Sequence, residues 1–148
     1  MKFLFLYGLA IIVGALIPVQ AGTNAILSKV TGHVFYSSLI LFGVGIVFVL
    51  AFIVILRPIP PSVGELIAAP LHSYAGGFIV AIYVISITFL APRIGVGNAV
   101  FLIVTGQILS AAIIDHYGLF GSDIFPFTIK KAAGLGCMVV GLVIVNNP

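Results

Sequence analysis

Three hydrogen-bonding side chains lie close together in the apolar stretch GALIPVQAGTNAILSKV, residues 14–30. Gln20, Thr23 and Asn24 have the i, i+3, i+4 spacing of one helical face. Each amide offers two donors and an acceptor, and hydrocarbon has no partner for them, so we predict that this face points toward another helix or a wet cavity. Two uses stay open, namely hydrogen bonds between helices and hydrogen bonds to a polar substrate.

Pro18 lies two residues before Gln20. Proline has no N–H to donate, and its ring crowds the carbonyl of Gly14, so we predict a kink that leaves this carbonyl partly free. Interrupted helices beside a binding site recur in secondary transporters. Pro18 is therefore a candidate hinge, and the alternative is a kink that only improves packing.

A second group of polar residues lies in the apolar stretch GVGNAVFLIVTGQILSAAIID, residues 95–115. Asn98 and Gln107 are nine residues apart, which places them on nearly opposite faces of a helix. Such a helix has two polar faces to satisfy, so we predict a position between neighbours in a bundle. Both amides join the candidate substrate-binding residues.

Asp115 and His116 end the same stretch. Histidine titrates near neutral pH, so this pair is a possible proton or charge site. The simpler interpretation is that the two residues mark the boundary with water.

Small residues are predicted to allow close contact between helices, because a glycine lets two backbones approach. The candidates for this packing role are Gly76, Gly77, Gly95, Gly97, Gly106, Gly134 and Gly136.

The residue patterns of an enzyme are missing from the apolar stretches, which contain no carboxylate in their centres. The three histidines, His33, His72 and His116, lack the spacing of a metal site, and the single cysteine, Cys137, has no cysteine partner. There is also no convincing Ser-His-Asp set and no phosphate-binding glycine loop. We therefore predict that the protein is not an enzyme and needs neither a metal nor a cofactor.

The elements that must position these side chains are membrane-spanning helices. Of the 148 residues, 62% are hydrophobic and 6% are charged, whereas a soluble domain has roughly 25% charged residues. Five stretches are long and apolar enough to span a bilayer, at about 3–27, 34–56, 72–91, 94–114 and 131–146. We predict an all-α integral membrane protein with one five-helix domain, residues 1–148.

The basic residues favour one orientation only weakly. If all five stretches span, Lys2, Arg57, Lys130 and Lys131 lie on one face and Lys29 and Arg93 on the other. Lys and Arg favour the cytoplasmic side, which gives a slight preference for a cytoplasmic amino terminus, and the chain could insert both ways. The net charge of +3 forms no basic patch, so nucleic-acid binding is not expected.

The amino-terminal stretch allows one alternative. Lys2, an apolar run and PVQA before Gly22 also have the pattern of a cleaved secretory signal, which would leave four helices. Apolar sequence resumes after Gly22 and continues to Leu27, which favours an uncleaved first helix.

Three segments carry a family resemblance: GALIPVQAGTNAILSK, YAGGF and GVGNAVFLIVTGQILSAAIIDHYGLFG. Together they resemble the YdcZ-like family of bacterial single-domain proteins in the drug/metabolite transporter superfamily, over nearly the whole chain. The resemblance implies a location in the inner membrane and a five-helix unit equivalent to half of a ten-helix transporter. It therefore implies an inverted, antiparallel homodimer, or a heterodimer with a paralogous half.

On this resemblance, we expect a secondary transporter that moves a small organic metabolite or drug by alternating access. An antiparallel homodimer would place two Gln20/Asn24 faces around one central site. Small multidrug-resistance transporters rely on a glutamate in the first helix, which this chain lacks, so we expect an uncharged, zwitterionic or anionic substrate. The alternatives are a non-transporting assembly subunit and a pore-forming protein.

Overall fold

The computed structural model describes residues 2–146, and every regular element in that range is helical. The α-helices are α1 (Lys2–Thr31), α2 (Val34–Leu56), α3 (Val63–Ala68), α4 (Ala75–Ile94), α5 (Val96–Tyr117) and α6 (Ile129–Asn146). Two short 3-10 turns, Leu71–Tyr74 and Leu119–Gly121, precede α4 and follow α5. The predicted all-α class is confirmed.

Among the described residues, four helical segments are long and apolar enough to cross a membrane: Phe3–Thr31, Val34–Leu56, Leu71–Ile94 and Val96–Tyr117. They correspond to the first four predicted spans. The fifth predicted span, about 131–146, corresponds to α6. Its 18 residues would extend about 27 Å at 1.5 Å per residue, and its crossing of the membrane stays a prediction.

The long helices end at residues with special backbone conformations. Gly32, with φ of 78°, follows α1, and Arg57, with φ of 47°, ends α2 and donates its N–H to the Ile53 carbonyl at 2.8 Å. Gly118, with φ of 61°, ends α5, and a Cβ atom there would lie 2.8 Å from Cγ1 of Ile124. Glycine is favoured at this last turn, because the backbone conformation is unfavourable for a side chain and a Cβ atom would crowd Ile124.

The short helix α3 lies in the connection after α2 and is not predicted by the sequence analysis. Ser62 Oγ accepts a hydrogen bond from the Glu65 N–H at 3.2 Å, and Glu65 Oε2 accepts one from the Ser62 N–H at 2.7 Å. This reciprocal capping box satisfies two donors at the start of the helix. The hydrogen bonds from the Ser62 N–H and then from its hydroxyl lower the pKa of Glu65.

The chain forms two compact units, and the boundary lies between Arg93 and Ile94. In the first unit α1 packs against α2. Its buried side chains recur at helical spacing, namely Ala21, Asn24 and Ala25 on α1 and Val84, Ile87, Thr88 and Ala91 on α4. Small residues on these faces suit close helix contact in a membrane.

In the second unit α5 packs against α6. The connection between them folds back onto the end of α5, where the Phe125 N–H donates to the Asp115 backbone carbonyl at 2.8 Å.

Candidate functional site

A buried polar pair joins α1 to α4 in the first unit. Asn24 Nδ2 donates to Thr88 Oγ1 at 2.5 Å, and Thr88 Oγ1 donates to the Val84 carbonyl at 2.7 Å. Asn24 is 3% exposed and Thr88 is 0% exposed. A hydroxyl has a single proton, so Thr88 can only accept from Asn24. The amide nitrogen is thereby turned toward Thr88, and Oδ1 is left for another partner.

Three buried polar atoms on α1 and α4 have no hydrogen-bond partner among the described residues: Gln20 Nε2, Asn24 Oδ1 and the Tyr83 hydroxyl. Gln20 lies about one turn before Asn24 on α1, and Tyr83 lies five residues before Thr88 on α4. A buried polar group without a partner is costly, and most costly where lipid excludes water. The unpartnered atoms are thus one donor, one acceptor and one hydroxyl that can act as either.

The third polar residue of the predicted face is placed differently. Thr23 is exposed, and its hydroxyl donates to the Gln20 backbone carbonyl at 3.0 Å. The structure thus leaves the two amides with unused hydrogen-bonding atoms, whereas the Thr23 proton is used within α1. Helix α1 is continuous through Pro18, and a hinge there stays a prediction.

An open cavity of about 660 Å³ lies beside the buried pair, with Thr88 in its wall. The lining is mostly apolar and carries two cationic side chains, and it comprises Ala25, Ser28, Lys29, Gly32, His33, Val34, Phe35, Thr88, Phe89, Pro92 and Arg93. The Arg93 Nη1 donates to the Phe89 carbonyl at 2.6 Å, and the guanidinium carbon lies 3.5 Å from the centroid of the Phe89 ring. His33 caps α2, where its Nδ1 accepts from the Phe35 N–H at 3.3 Å. The sequence analysis does not bring Lys29 and Arg93 together in one cavity.

The chain matches one protein-family model over most of its length. The model of the family described as "Putative inner membrane exporter, YdcZ" matches residues 5–144. This chain belongs to the YdcZ family. The resemblance drawn from the sequence is confirmed, and the match covers both compact units. Comparisons with curated proteins and with solved structures found no match.

Membership in the YdcZ family agrees with the four apolar helices. Together they identify a multi-pass protein of the inner membrane, from a family described as exporters. The Asn24–Thr88 pair is a buried polar contact within these apolar helices.

In this YdcZ chain the remaining candidate amides belong to the second unit. Asn98 is half-buried on α5, and Gln107 is exposed. Their different exposures agree with the nearly opposite faces that the spacing predicts. Their participation in a substrate site stays a prediction.

Asp115 and His116 hold the connection that follows α5. His116 Nδ1 accepts from the Phe127 N–H at 3.0 Å, and the Asp115 backbone carbonyl accepts from Phe125. The Asp115 side chain lines a second-unit cavity of about 330 Å³ together with Lys131. These contacts give both residues a local structural function in the YdcZ fold, and a proton or charge function stays a prediction.

The seven glycines predicted for helix packing meet no close neighbour within this copy of the YdcZ chain. A Cβ atom added to any of Gly76, Gly77, Gly95, Gly97, Gly106, Gly134 and Gly136 would find nothing within 4 Å among the described residues. Gly95 has another use, since its φ of 87° forms the turn between α4 and α5. Close packing between helices at the other six stays a prediction.

Proposed function

We propose that the protein is a secondary transporter that exports a small polar organic molecule by alternating access in an inverted dimer. The observation that carries this proposal is the pair of unpartnered atoms, Gln20 Nε2 and Asn24 Oδ1, buried about one turn apart in an apolar helix. A substrate that accepts one hydrogen bond and donates another would satisfy both atoms. Family membership supports the direction of transport.

The proposed assembly has five spans in each copy. Helix α6 is the fifth, with a length close to the roughly 30 Å hydrocarbon core. Because the charge bias is weak, two copies can insert in opposite directions, related by a two-fold axis in the membrane plane. Each copy then contributes Gln20 and Asn24 to a central site that is open to one side at a time.

The other sequence candidates have subsidiary positions in this proposal. Thr23, Asn98 and Gln107 extend the substrate path. Pro18 is the hinge of α1. Asp115 and His116 lie at the mouth of the path. No metal, cofactor or nucleic acid takes part. The described spans carry no carboxylate in their centres, so the proposal assigns no proton coupling to a central acid.

A second function is favoured by the Asn24–Thr88 hydrogen bond. This bond joins α1 to α4 without any ligand, as expected of a subunit whose polar residues only hold helices together. Such an assembly subunit would keep its fold through Thr88 and would bind no small molecule at Gln20.

The two functions are separated by ligand-induced thermal stabilisation of the purified dimer across a panel of metabolites and drugs. A ligand that binds only the folded state raises its apparent stability. We expect a stabilising compound whose effect is lost in Gln20→Ala/Asn24→Ala and kept in Thr105→Ala. Thr105 is the matched control, since its hydroxyl bonds only to the Phe101 carbonyl of its own helix at 2.8 Å.

Each result has a definite meaning for the proposal. Stabilisation retained in the double variant would move the site away from α1. The absence of any stabilising compound for a well-folded dimer would favour the assembly subunit.

A further inference from the structure

We infer that the cavity lined by Lys29 and Arg93 is a carboxylate-recognition site, so that the transported molecule is a small organic anion with an apolar body. This inference rests on the proposed transport function and specifies its substrate class. The cavity touches the proposed site directly, because Thr88 lines the cavity and bonds to Asn24.

The position of the cavity follows from its lining residues. Those from α1 begin at Ala25, just after Asn24, and those from α4 begin at Thr88. The cavity therefore lies toward the carboxyl ends of both helices, with the polar pair at its inner limit. Lys29 and Arg93 each lie five residues beyond the hydrogen-bonded residue of their own helix.

The charge of this cavity is positive. Lys29 and Arg93 contribute one unit each, and the cavity walls contain no carboxylate, because the three acids of the chain, Glu65, Asp115 and Asp123, are not among them. The carboxyl ends of α1 and α4 each contribute about −0.5 charge, and the amino end of α2 contributes about +0.5. The cations outweigh the helix ends, leaving a net charge of about +1.5.

Arg93 is held in a defined orientation for an anion. Its Nη1 donates to the Phe89 carbonyl, and its guanidinium carbon lies 3.5 Å from the centroid of the Phe89 ring. A guanidinium has five N–H donors in a rigid fork that matches a carboxylate. The contact with Phe89 uses one of these donors, on Nη1. Lys29 has no ion-pair partner among the described residues and supplies a second cation.

The rest of the lining suits an apolar body attached to the carboxylate. Val34, Phe35, Phe89 and Pro92 form apolar walls, and the volume of about 660 Å³ lies within the range of small-molecule sites. An inorganic anion would leave this apolar surface unused. An organic acid would contact both kinds of surface at once.

The competing explanation is that Lys29 and Arg93 only compensate the helix ends and mark the boundary with water. In that case charge on a ligand would make no difference to its binding. Matched acids and amides separate the two explanations, because they share shape and differ in the carboxylate.

The experiment measures equilibrium binding of benzoate, benzamide, phenylacetate and phenylacetamide to the purified dimer. We expect each acid to bind about 10-fold to 100-fold more tightly than its amide, as for a charge-assisted hydrogen bond. Lys29→Gln/Arg93→Gln should abolish this preference. Lys29→Arg, which keeps both charges and the Arg93 guanidinium, and Lys130→Gln, which removes a cation outside the cavity lining, should preserve it.

Equal binding of acid and amide to the wild type would overturn the inference, and so would a preference that survives in the folded Gln double variant. If that variant does not fold, the inference is tested by two results: the wild type must prefer acids to amides, and the charge-preserving variant must keep that preference. Amides that bind as well as acids, with binding lost in Gln20→Ala/Asn24→Ala, would reject the anion and leave the transport proposal standing. Absence of binding by all four probes would overturn the inference alone, since the broad panel judges transport separately.

Discussion

Thr88 determines which atom of the Asn24 amide is left without a hydrogen-bond partner. Its hydroxyl proton is used by the Val84 carbonyl, so its oxygen accepts from Asn24 Nδ2. The Asn24 Oδ1 is buried without a partner as a consequence. At this residue the proposed site presents an acceptor, whereas Gln20 presents a donor.

Removal of the Thr88 hydroxyl should destabilise the fold. Thr88→Val keeps the shape of the side chain and leaves the Asn24 donor unpaired, so we expect a loss of about 1 kcal/mol in the free energy of unfolding, typical of a polar contact between membrane helices. The measurement is an unfolding titration in mixed micelles. Thr105→Val is the matched control, because it removes only a bond within one helix. Equal losses in both variants would show that the contact between α1 and α4 adds no stability.

The Glu65 carboxylate gives a pH prediction outside the spans. Hydrogen bonds from Ser62 lower its pKa, so the capping box stabilises α3 above the ordinary carboxyl pKa and is lost as the pH falls through the lowered value. In an NMR titration Glu65 should therefore titrate below the corresponding unfolded peptide. Ser62→Ala should raise the pKa only partly, since the backbone N–H stays, and Ser73→Ala should leave it unchanged. Titration of wild-type Glu65 at the peptide value would contradict the capping box.

The sequence predicts the polar face of α1 better than its partners. Spacing places Gln20 and Asn24 together, because helical periodicity is local. It does not identify Thr88, which is 64 residues from Asn24 and lies in an ordinary apolar stretch. Spacing also does not bring Lys29 and Arg93 into one cavity, because they lie near the ends of different helices.

At the level of helices, charge and turn residues predict the first four spans well and their ends less well. The bounds of α2, Val34–Leu56, match the prediction because Arg57 and Pro58 end it sharply. Helix α1 continues to Thr31, beyond the predicted end at about 27, because one lysine does not stop a helix. The chain turns only at Gly32, where φ is positive. Helix α3 is too short for periodicity to reveal, although Ser62 and Glu65 have capping-box spacing.

Pro18 gives a prediction for helix α1. Alanine restores the missing N–H for the Gly14 carbonyl, so Pro18→Ala should straighten and stiffen α1 while the fold is kept. We expect unchanged ligand affinity and slower turnover of any compound found in the stabilisation panel. The measurement is transport in proteoliposomes, with binding as the control. Unchanged turnover would reduce Pro18 to a packing residue.

At the level of the whole molecule, the family match covers residues 5–144 and so includes both compact units. The first unit contains the polar pair and the cationic cavity, and the second contributes α5 and α6. In the proposed dimer the polar pair and the cationic cavity therefore each occur twice, once in each orientation of the chain.

Dual orientation predicts the accessibility of the carboxyl terminus. A cysteine added there in a Cys137→Ser background should react with an impermeant reagent from both sides of the membrane. Ile59 is 95% exposed in the connection after α2, so Ile59→Lys adds a charge to one face and should shift the population toward one orientation. Transport should fall in this variant and recover on co-expression with an oppositely biased one. Labelling of the wild type from one side only would reject the antiparallel homodimer.

The hydrogen bond between Asn24 and Thr88 can form only after a delay during synthesis. The ribosome must add 64 residues after Asn24 before Thr88 exists, which takes about 3 to 13 s at ordinary translation rates. During that interval the Asn24 amide has no α4 partner, and α1 is less suited to bulk lipid than its apolar neighbours. The nascent first helix should therefore stay beside the insertion machinery until α4 emerges, so that the first unit is assembled as a group rather than one helix at a time.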